Sequence, residues 1–250
     1  LESQLANGPS VALLPLGSVE PHGPHLPLAT DRLLSQVNAD RAALALRERG
    51  VKAWVAPALP YGVTEYAQGF CGAISLSPML YENLLIELSE QYLRAGFTLI
   101  CWINHHLEPL QLQSIMSALK KINQQSRSSD KDERNRVIAP AVVSRRWGRV
   151  LGEEFKSGAC HAGAYESSMI LASHPHLVNA EAASSLPTLE ISLSEAIRLG
   201  KSGFKEIGMS EAYTGAPSEA SAIEGERLYH EHINMVLTEV MESLEVQSEV

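Results

Sequence analysis

Residues 17–31 read GSVEPHGPHLPLATD, and this stretch decides how the rest of the chain is interpreted. It follows the apolar run 11–16 (VALLPL), which is typical of a buried strand. Four potential metal ligands then occur on a Gly/Pro-rich turn: Glu20, His22, His25 and Asp31. Carboxylates and imidazoles this dense are costly to leave unpaired, and a divalent metal ion commonly pairs them. The stretch is therefore predicted to be half of a metal site.

Composition limits the class of protein. The 250 residues suffice for one large α/β domain, which we expect to span residues 1–250. A hydrophobic content of 45% with 20% charged residues is typical of a globular chain and not of a disordered one. The net charge of -9 argues against nucleic acid as a partner. No apolar stretch reaches bilayer length, so no membrane partner is expected. Three distant cysteines without a CxxC pair favour a reducing compartment without a disulfide framework.

Short apolar runs alternate with longer amphipathic segments along the chain. Strands are predicted at 11–16, 51–59, 97–103 and 137–143. Helices are predicted at 31–49 with Thr30 as its cap, from Ser77-Pro78 to Gly96, and at 109–123, 169–172, 192–199 and 219–244. Residues 124–135 are predicted to be a solvated loop and residues 147–158 a lid or loop. The alternation predicts an α/β fold, a mostly parallel sheet with helices on both faces.

Two further polar clusters complete the first one. Residues 104–109 (NHHLEP) come directly after a predicted strand, as residues 17–31 do, and residues 160–168 (CHAGAYESS) precede a helix. Ligand sites of open α/β sheets lie beyond the carboxyl ends of the strands. We therefore expect one site, built from Glu20, His22, Asp31, His106, Glu108, His161 and Glu166. His25 and His105 are further candidates for this site.

This donor set determines the chemistry. It combines nitrogen and oxygen donors without thiolate, which suits Zn²⁺ or Mn²⁺ better than a structural zinc site rich in cysteine. Its surplus of carboxylates indicates two ions, because a shared Asp is a common bridge in two-metal hydrolytic sites. Such ions activate water and polarise a substrate carbonyl. A metal-dependent hydrolase is the function that this pattern favours.

Other residues that could carry chemistry have simpler interpretations. His174, His176, His230 and His232 are expected to be solvated or hydrogen-bonded side chains. Cys160 next to His161 could suggest a thiol nucleophile, but sequence neighbours rarely form such a pair. No Gly-rich phosphate-binding loop occurs.

The three clusters together resemble the motifs of the creatininase (creatinine amidohydrolase) family. Residues 17–31 resemble its first motif, Glu-x-His-Gly with an Asp eleven residues after the Glu. Asn104-x-His106-x-Glu108 is similar to its Asn-Gly-His turn, and residues 161–168 are similar to its His-Ala/Gly-Gly-x-x-Glu-Thr-Ser motif. Residues 69–76 and 215–225 resemble two further family stretches. The resemblance therefore covers nearly the whole chain in the right order.

The resemblance implies a three-layer α/β/α sandwich with a binuclear Zn²⁺/Mn²⁺ centre, Fe²⁺ being a further option. It implies hydrolysis of an amide carbon–nitrogen bond by a cytoplasmic homo-oligomer, commonly a hexamer. The residues that it carries over as metal ligands are Glu20, His22, Asp31, His106 and Glu108, with Asp31 as the bridge. His161 would contact substrate and assist proton transfer, and Glu166 would support the site, bind metal or accept a proton.

Several positions depart from the name-giving enzyme of the family. Leu107 stands where that enzyme has Tyr, and Ser157 where it has Trp. His105 replaces a Gly, Pro109 an Asn and Cys71 a Pro. The metal ligands are kept while groups around the substrate are not, so the predicted substrate is a small polar cyclic or linear amide other than creatinine. A formamide hydrolase and a non-catalytic metal-binding family member remain alternatives.

Overall fold

The structure is a computed structural model that describes residue 5, residues 8–130 and residues 136–248. Its strands are β1 (Ser10–Leu16), β2 (Lys52–Val55), β3 (Leu99–Asn104) and β4 (Val137–Ile138). Its longer helices are α1 (Thr30–Glu48), α2 (Pro78–Arg94), α3 (Pro109–Asp130), α5 (Ala164–Ser173) and α8 (Ala222–Ser248). Three short helices are α4 (Glu153–Ser157), α6 (Ala180–Ser185) and α7 (Leu193–Arg198).

The four strands form one parallel sheet in the order β2-β1-β3-β4. β1 lies at its centre, where Val11 is in register with Ala53 of β2 and with Leu99 of β3. Both β1 and β3 are apolar and buried nearly throughout, as expected of strands covered on both faces.

Alternate residues of β1 enter two different cores. Ala12, Leu14 and Leu16 pack with Trp102 against α2 and α3. Val11 and Leu13 pack against α1 and α8. Because helices cover both faces of the sheet, the predicted three-layer α/β/α sandwich is confirmed.

Several predicted boundaries were wrong. β2 ends before Pro57 and β4 before Pro140, because proline has no backbone N–H to donate to a neighbouring strand. α1 begins at Thr30, whose hydroxyl donates to the Pro27 carbonyl instead of capping the helix. The predicted cap at Ser77 is confirmed, since its side chain accepts from the N–H of Leu80.

The segment 124–135 was predicted to be a loop, but α3 continues to Asp130. No glycine or proline interrupts its polar residues, so nothing in them ends a helix. Residues 131–135 lie outside the described residues.

The last helix, predicted at 219–244, runs from Ala222 to Ser248. The segment 147–158 contains a 3₁₀ turn (Gly148–Val150) and α4.

None of the helices within the described residues is both long and apolar enough to cross a membrane.

Candidate metal centre

The fold brings the predicted site residues to the carboxyl edge of the sheet. Glu20 and His22 follow β1, and Asp31 is the second residue of α1. His106 follows β3. Glu166 belongs to the first turn of α5. All five side chains are buried, and His22 has no exposed surface at all.

Donor atoms of these residues and of His161 form three compact groups within the described residues, and in each group all atoms lie within 4.8 Å of one another. One group consists of Glu20, Asp31 and His106. The second consists of His22, Asp31 and Glu166, and the third of Glu20, His22 and His161. Asp31 belongs to the first two groups, where its Oδ2 lies 3.1 Å from His106 Nδ1 and its Oδ1 lies 3.4 Å from His22 Nε2.

Each of the three histidines binds a backbone carbonyl with one ring nitrogen. His22 Nδ1 lies 3.1 Å from the Glu20 carbonyl, and His161 Nε2 lies 2.9 Å from the Pro21 carbonyl. His106 Nε2 lies 2.7 Å from the Val63 carbonyl. A carbonyl only accepts, so these nitrogens carry the hydrogen. The other nitrogen of each ring therefore faces the carboxylates, as in histidines that bind metal.

His22 gives the clearest test of whether a cation fits. Its Nε2 is buried and has no hydrogen-bond partner among the described residues. It lies 3.4 Å from Asp31 Oδ1 and 3.6 Å from Glu166 Oε2. Donors that bind one ion at about 2.1 Å are separated by roughly 3 to 3.5 Å. The residues thus fit a shared divalent cation better than a hydrogen bond.

Neighbouring donors hold the carboxylates in place. The Ser18 hydroxyl donates to Asp31 Oδ2 at 2.8 Å, and the Thr64 hydroxyl donates to Glu20 Oε2 at 2.9 Å. The N–H of Ala162 donates to Glu166 Oε2 at 2.7 Å. Sequence reasoning missed these hydroxyls. Ser18 stands inside the first motif and could have been found, whereas nothing in the sequence marks Thr64.

Burial and charge set the pKa values of the cluster. Burial lowers the pKa of His22, but Asp31 and Glu166 outweigh burial and raise it to about 10. Burial raises the pKa of Asp31, yet His106 and His22 hold it well below its usual range. Burial raises the pKa of Glu166 to about 8. A cation that binds here has to displace the protons that these groups hold.

Glu108 occupies a different position from the other predicted ligands. It belongs to none of the three groups found among the described residues. Its carboxylate accepts from the N–H of Leu110 at 2.8 Å and from the N–H of Tyr66 at 3.2 Å. Glu108 lines the cavity above the cluster, so it faces the space where a substrate would bind.

The two further candidates, His25 and His105, contact residues outside the three donor groups. His25 Nε2 lies 2.8 Å from the Ser167 hydroxyl. His105 stacks on His232 with 4.5 Å between ring centroids, and His232 Nε2 lies 2.6 Å from the Tyr165 hydroxyl. His232 was expected to be solvated or hydrogen-bonded, and it is hydrogen-bonded and buried. Burial raises the pKa of the Cys160 thiol to about 12, which disfavours a thiolate nucleophile.

A cavity of about 670 Å³ opens above the cluster. Its buried end is formed by the acidic and imidazole side chains described above. Much of its wall is apolar: Leu107, Leu112, Val143, Phe155, Leu193 and Phe204. The cavity is large enough for a ligand well above the size of a single small ring.

Comparison with known proteins supports the resemblance read from the motifs. The family model described as creatininase, creatinine amidohydrolase, matches residues 2–240. A mycofactocin precursor peptide peptidase of Mycobacterium ulcerans is 28% identical over 239 residues, which cover 93% of this chain and 85% of that protein. A creatinine amidohydrolase of Pseudomonas putida is 27% identical over 193 residues, which cover 71% of this chain and 70% of that protein.

Solved structures share the fold. A creatininase described as the Mn form has a TM-score of 0.72 at 20% identity, covering 97% of this chain and 94% of that one. A mutant creatininase described as the Zn-Zn type has a TM-score of 0.73 with the same identity and coverage. Fold and family model agree on one class, the amide hydrolases with an α/β/α sandwich. The chain belongs to the creatininase family, which confirms the predicted enzyme class.

Proposed function

We propose that the chain hydrolyses a carbon–nitrogen bond of an amide at a centre of two divalent cations. The observation that carries the proposal is the orientation of three buried histidines. Each donates to a backbone carbonyl with one nitrogen and turns the other toward carboxylates. A protein gains little from such an arrangement unless a cation binds between the rings and the carboxylates.

The groups of donor atoms suggest how the cations are shared. One cation would be held by Glu20, Asp31 and His106, and the other by His22, Asp31 and Glu166. Asp31 would bridge them, as the sequence predicted. Glu166 would act as a ligand, one of the roles left open for it, while the predicted ligand role of Glu108 lacks support from these groups. Divalent cations at this place would polarise an amide carbonyl and make water a stronger nucleophile near neutral pH.

His161 is the candidate for proton transfer. Burial and the neighbouring His22 lower its pKa to about 4, so the ring is neutral near pH 7. Its Nε2–H is used by the Pro21 carbonyl, which leaves Nδ1 to take up a proton. Nδ1 lies 3.7 Å from Glu20 Oε1, and the ring lines the cavity. His161 can therefore accept a proton from water and deliver it to the leaving nitrogen.

The cavity favours a substrate with an apolar portion. Leu107, which stands where the name-giving enzyme of the family has Tyr, belongs to the apolar wall. The relatives named mycofactocin precursor peptide peptidase support an amide of peptide type over a single small ring. We therefore place the substrate among acyclic amides and keep the expectation that it is not creatinine. This choice narrows the small polar cyclic or linear amide expected from the sequence to its linear members, and it stays a prediction.

The remaining expectations belong to the same proposal. Zn²⁺ or Mn²⁺ is favoured because the donors are imidazole and carboxylate and because related structures are described as Mn and Zn-Zn forms. A single domain over residues 1–250, a homo-oligomer of hexameric size and a cytoplasmic location stay predictions. Light scattering of the purified protein measures the oligomeric state.

Metal analysis combined with an amide panel tests the proposal. We expect two Zn, Mn or Fe ions per chain by ICP-MS, and turnover that EDTA abolishes and Mn²⁺ restores. Glu20→Gln and His106→Ala should lose metal and turnover together. The matched control is His176→Ala, an exposed histidine outside the cluster, which should keep both. A purified protein that holds no stoichiometric metal would contradict the proposal.

A further inference from the structure

The mouth of the cavity carries positive charge, in contrast to its acidic buried end. Arg145, Arg149 and Lys156 line the cavity and are exposed. The four acidic lining residues, Glu20, Asp31, Glu108 and Glu166, are 6% exposed or less. The cationic side chains therefore lie toward solvent and the carboxylates at the inner end. This separation occurs in a chain whose net charge is -9.

Two of the three cationic side chains have no carboxylate partner in the described part of the chain. Lys156 pairs with Glu153 at 2.7 Å. Arg149 donates to the Arg146 carbonyl, and neither Arg145 nor Arg149 makes an ion pair with a carboxylate within the described part of the chain. We call Arg145 and Arg149 the arginine rim. Its guanidinium groups are available to a ligand that enters the cavity.

Arg146 shows that the position of an arginine in the fold, and not the local sequence, decides whether it has a carboxylate partner. It lies between the two rim residues in sequence but does not line the cavity. Both its terminal nitrogens donate to the Glu242 carboxylate, at 2.9 and 2.6 Å, and its guanidinium stacks over Trp147. Arg146, which does not line the cavity, is therefore paired with a carboxylate. Arg145 and Arg149 at the mouth have no such partner in the described part of the chain and can bind a ligand.

The arginine rim and the apolar wall together define a substrate class. Guanidinium groups recognise carboxylate and phosphate oxygens, and a cleft lined by one sign of charge concentrates ligands of the opposite sign. Under the proposed function the scissile amide occupies the inner end, so an anionic group elsewhere on the same substrate has to lie at the mouth. Apolar residues, including Val143 and Phe155, line the same cavity.

We propose that the substrate is an anionic amide, in which an apolar portion separates the scissile amide from a carboxylate or phosphate bound by Arg145 and Arg149. This inference rests on the proposed amide hydrolysis and adds the charge of the substrate. Hydrolysis adds water across the amide bond, giving a carboxylic acid and an amine, and the anionic group at the rim takes no part in it.

N-acetylated dipeptides with an amidated C-terminus and a shared apolar first residue test the inference on the Mn²⁺-loaded enzyme. The second residue is Glu, Gln or phosphoserine. The Glu or phosphoserine peptide should exceed the Gln peptide in kcat/KM by about five- to tenfold, mainly through KM, because the contact is exposed and screened. The preference should shrink as NaCl rises from about 0.02 to 0.3 M. Comparison of Glu with phosphoserine identifies the oxyanion.

The double variant Arg145→Gln/Arg149→Gln should abolish this preference and keep its metal content. Arg146→Gln is the matched control and should keep the preference. Equal kcat/KM values for the Glu, phosphoserine and Gln peptides in the wild-type protein would overturn the inference. A loss of preference in Arg146→Gln as large as in the double variant would overturn it as well.

A binding measurement separates this inference from the proposed function. Equilibrium dialysis of the same peptides against EDTA-treated protein involves no turnover. We expect the anionic peptide to bind more tightly than the Gln peptide, and the double variant to lose that difference. If no peptide is hydrolysed, the proposed function is contradicted while the dialysis still decides the role of the rim. Equal affinities, or binding of none of the peptides, would overturn the inference.

Discussion

The two ends of the cavity are built in different ways. At the inner end, Asp31 and Glu20 are buried, and hydroxyl groups and histidines fix their oxygens. At the mouth, residues 143–158 form turns and one helix of five residues, with exposed arginines. The inner end also keeps the family motif, whereas the mouth contains Ser157, a departure from it. From this difference we expect separate parts of the chain to specify the reaction and the substrate, so that each part can be perturbed without the other.

The largest effect is expected from Asp31→Asn at the inner end. Asp31 belongs to both predicted cation sites, and an amide replaces its negative charge without changing its size. We expect loss of bound metal by ICP-MS and a fall in kcat/KM of at least about 10³-fold, because metal ions supply several kcal/mol of transition-state stabilisation.

Asp40→Asn is the control for this variant. Asp40 lies on the same helix, is exposed and accepts from the Gln36 side chain. It should keep metal and activity. An Asp31→Asn protein that retains both ions would show that the shared carboxylate is not the bridge.

An intermediate effect is expected from pH, again at the inner end. In the metal-free protein the pKa values of His22 and Glu166 are raised to about 10 and about 8, so this buried pair holds protons at pH 7. Binding of a cation has to release them, so affinity should rise between pH 6 and 8, by about tenfold per pH unit for each proton released.

Titration calorimetry of Mn²⁺ into EDTA-treated protein measures this directly. Released protons make the observed heat depend on the ionisation enthalpy of the buffer. Heats that are the same in all buffers, with an affinity that does not change from pH 6 to 8, would contradict the predicted ligands. Substitution of the arginine rim should leave this pH dependence unchanged, since Arg145 and Arg149 belong to neither predicted cation site.

The sequence could predict which residues meet at the inner end because most of that arrangement is local. Residues 17–31 unite a strand end, a turn and a helix start, and a parallel sheet brings the ends of β1 and β3 together. Glu166 could be placed near the site but its role stayed open, since the groups it joins depend on the loop before α5.

The mouth could not be predicted in the same way. It is built from contacts between segments far apart in sequence, such as that of Arg146 with Glu242 and that of Trp147 with Glu239. Which of three neighbouring arginines lines the cavity follows from these contacts and not from the motif. Thr64 likewise reaches Glu20 only because the chain returns to the sheet edge after β2.

The smallest effect is expected from Glu154→Gln at the mouth. The carboxylate of Glu154 accepts from three backbone N–H groups: those of Ala164, Tyr165 and Ala216. It thereby fixes α4, which carries the wall residue Phe155, to the start of α5. Gly163 and Gly215 leave room for it, because a Cβ atom there would lie 2.5 and 2.3 Å from its oxygens.

In the Gln variant the amide NH₂ faces N–H donors, so hydrogen bonds worth roughly 1.5 to 3 kcal/mol in total are weakened. We expect kcat/KM to fall about tenfold, mainly through KM, with an unchanged metal content, because the wall moves while the inner end does not. Glu153→Gln is the matched control, since the neighbouring Glu153 is exposed and pairs only with Lys156 in the described structure. It should change kcat/KM by less than about twofold. If Glu154→Gln instead loses metal as Asp31→Asn does, the two ends of the cavity are mechanically coupled and the separation of reaction from substrate binding fails.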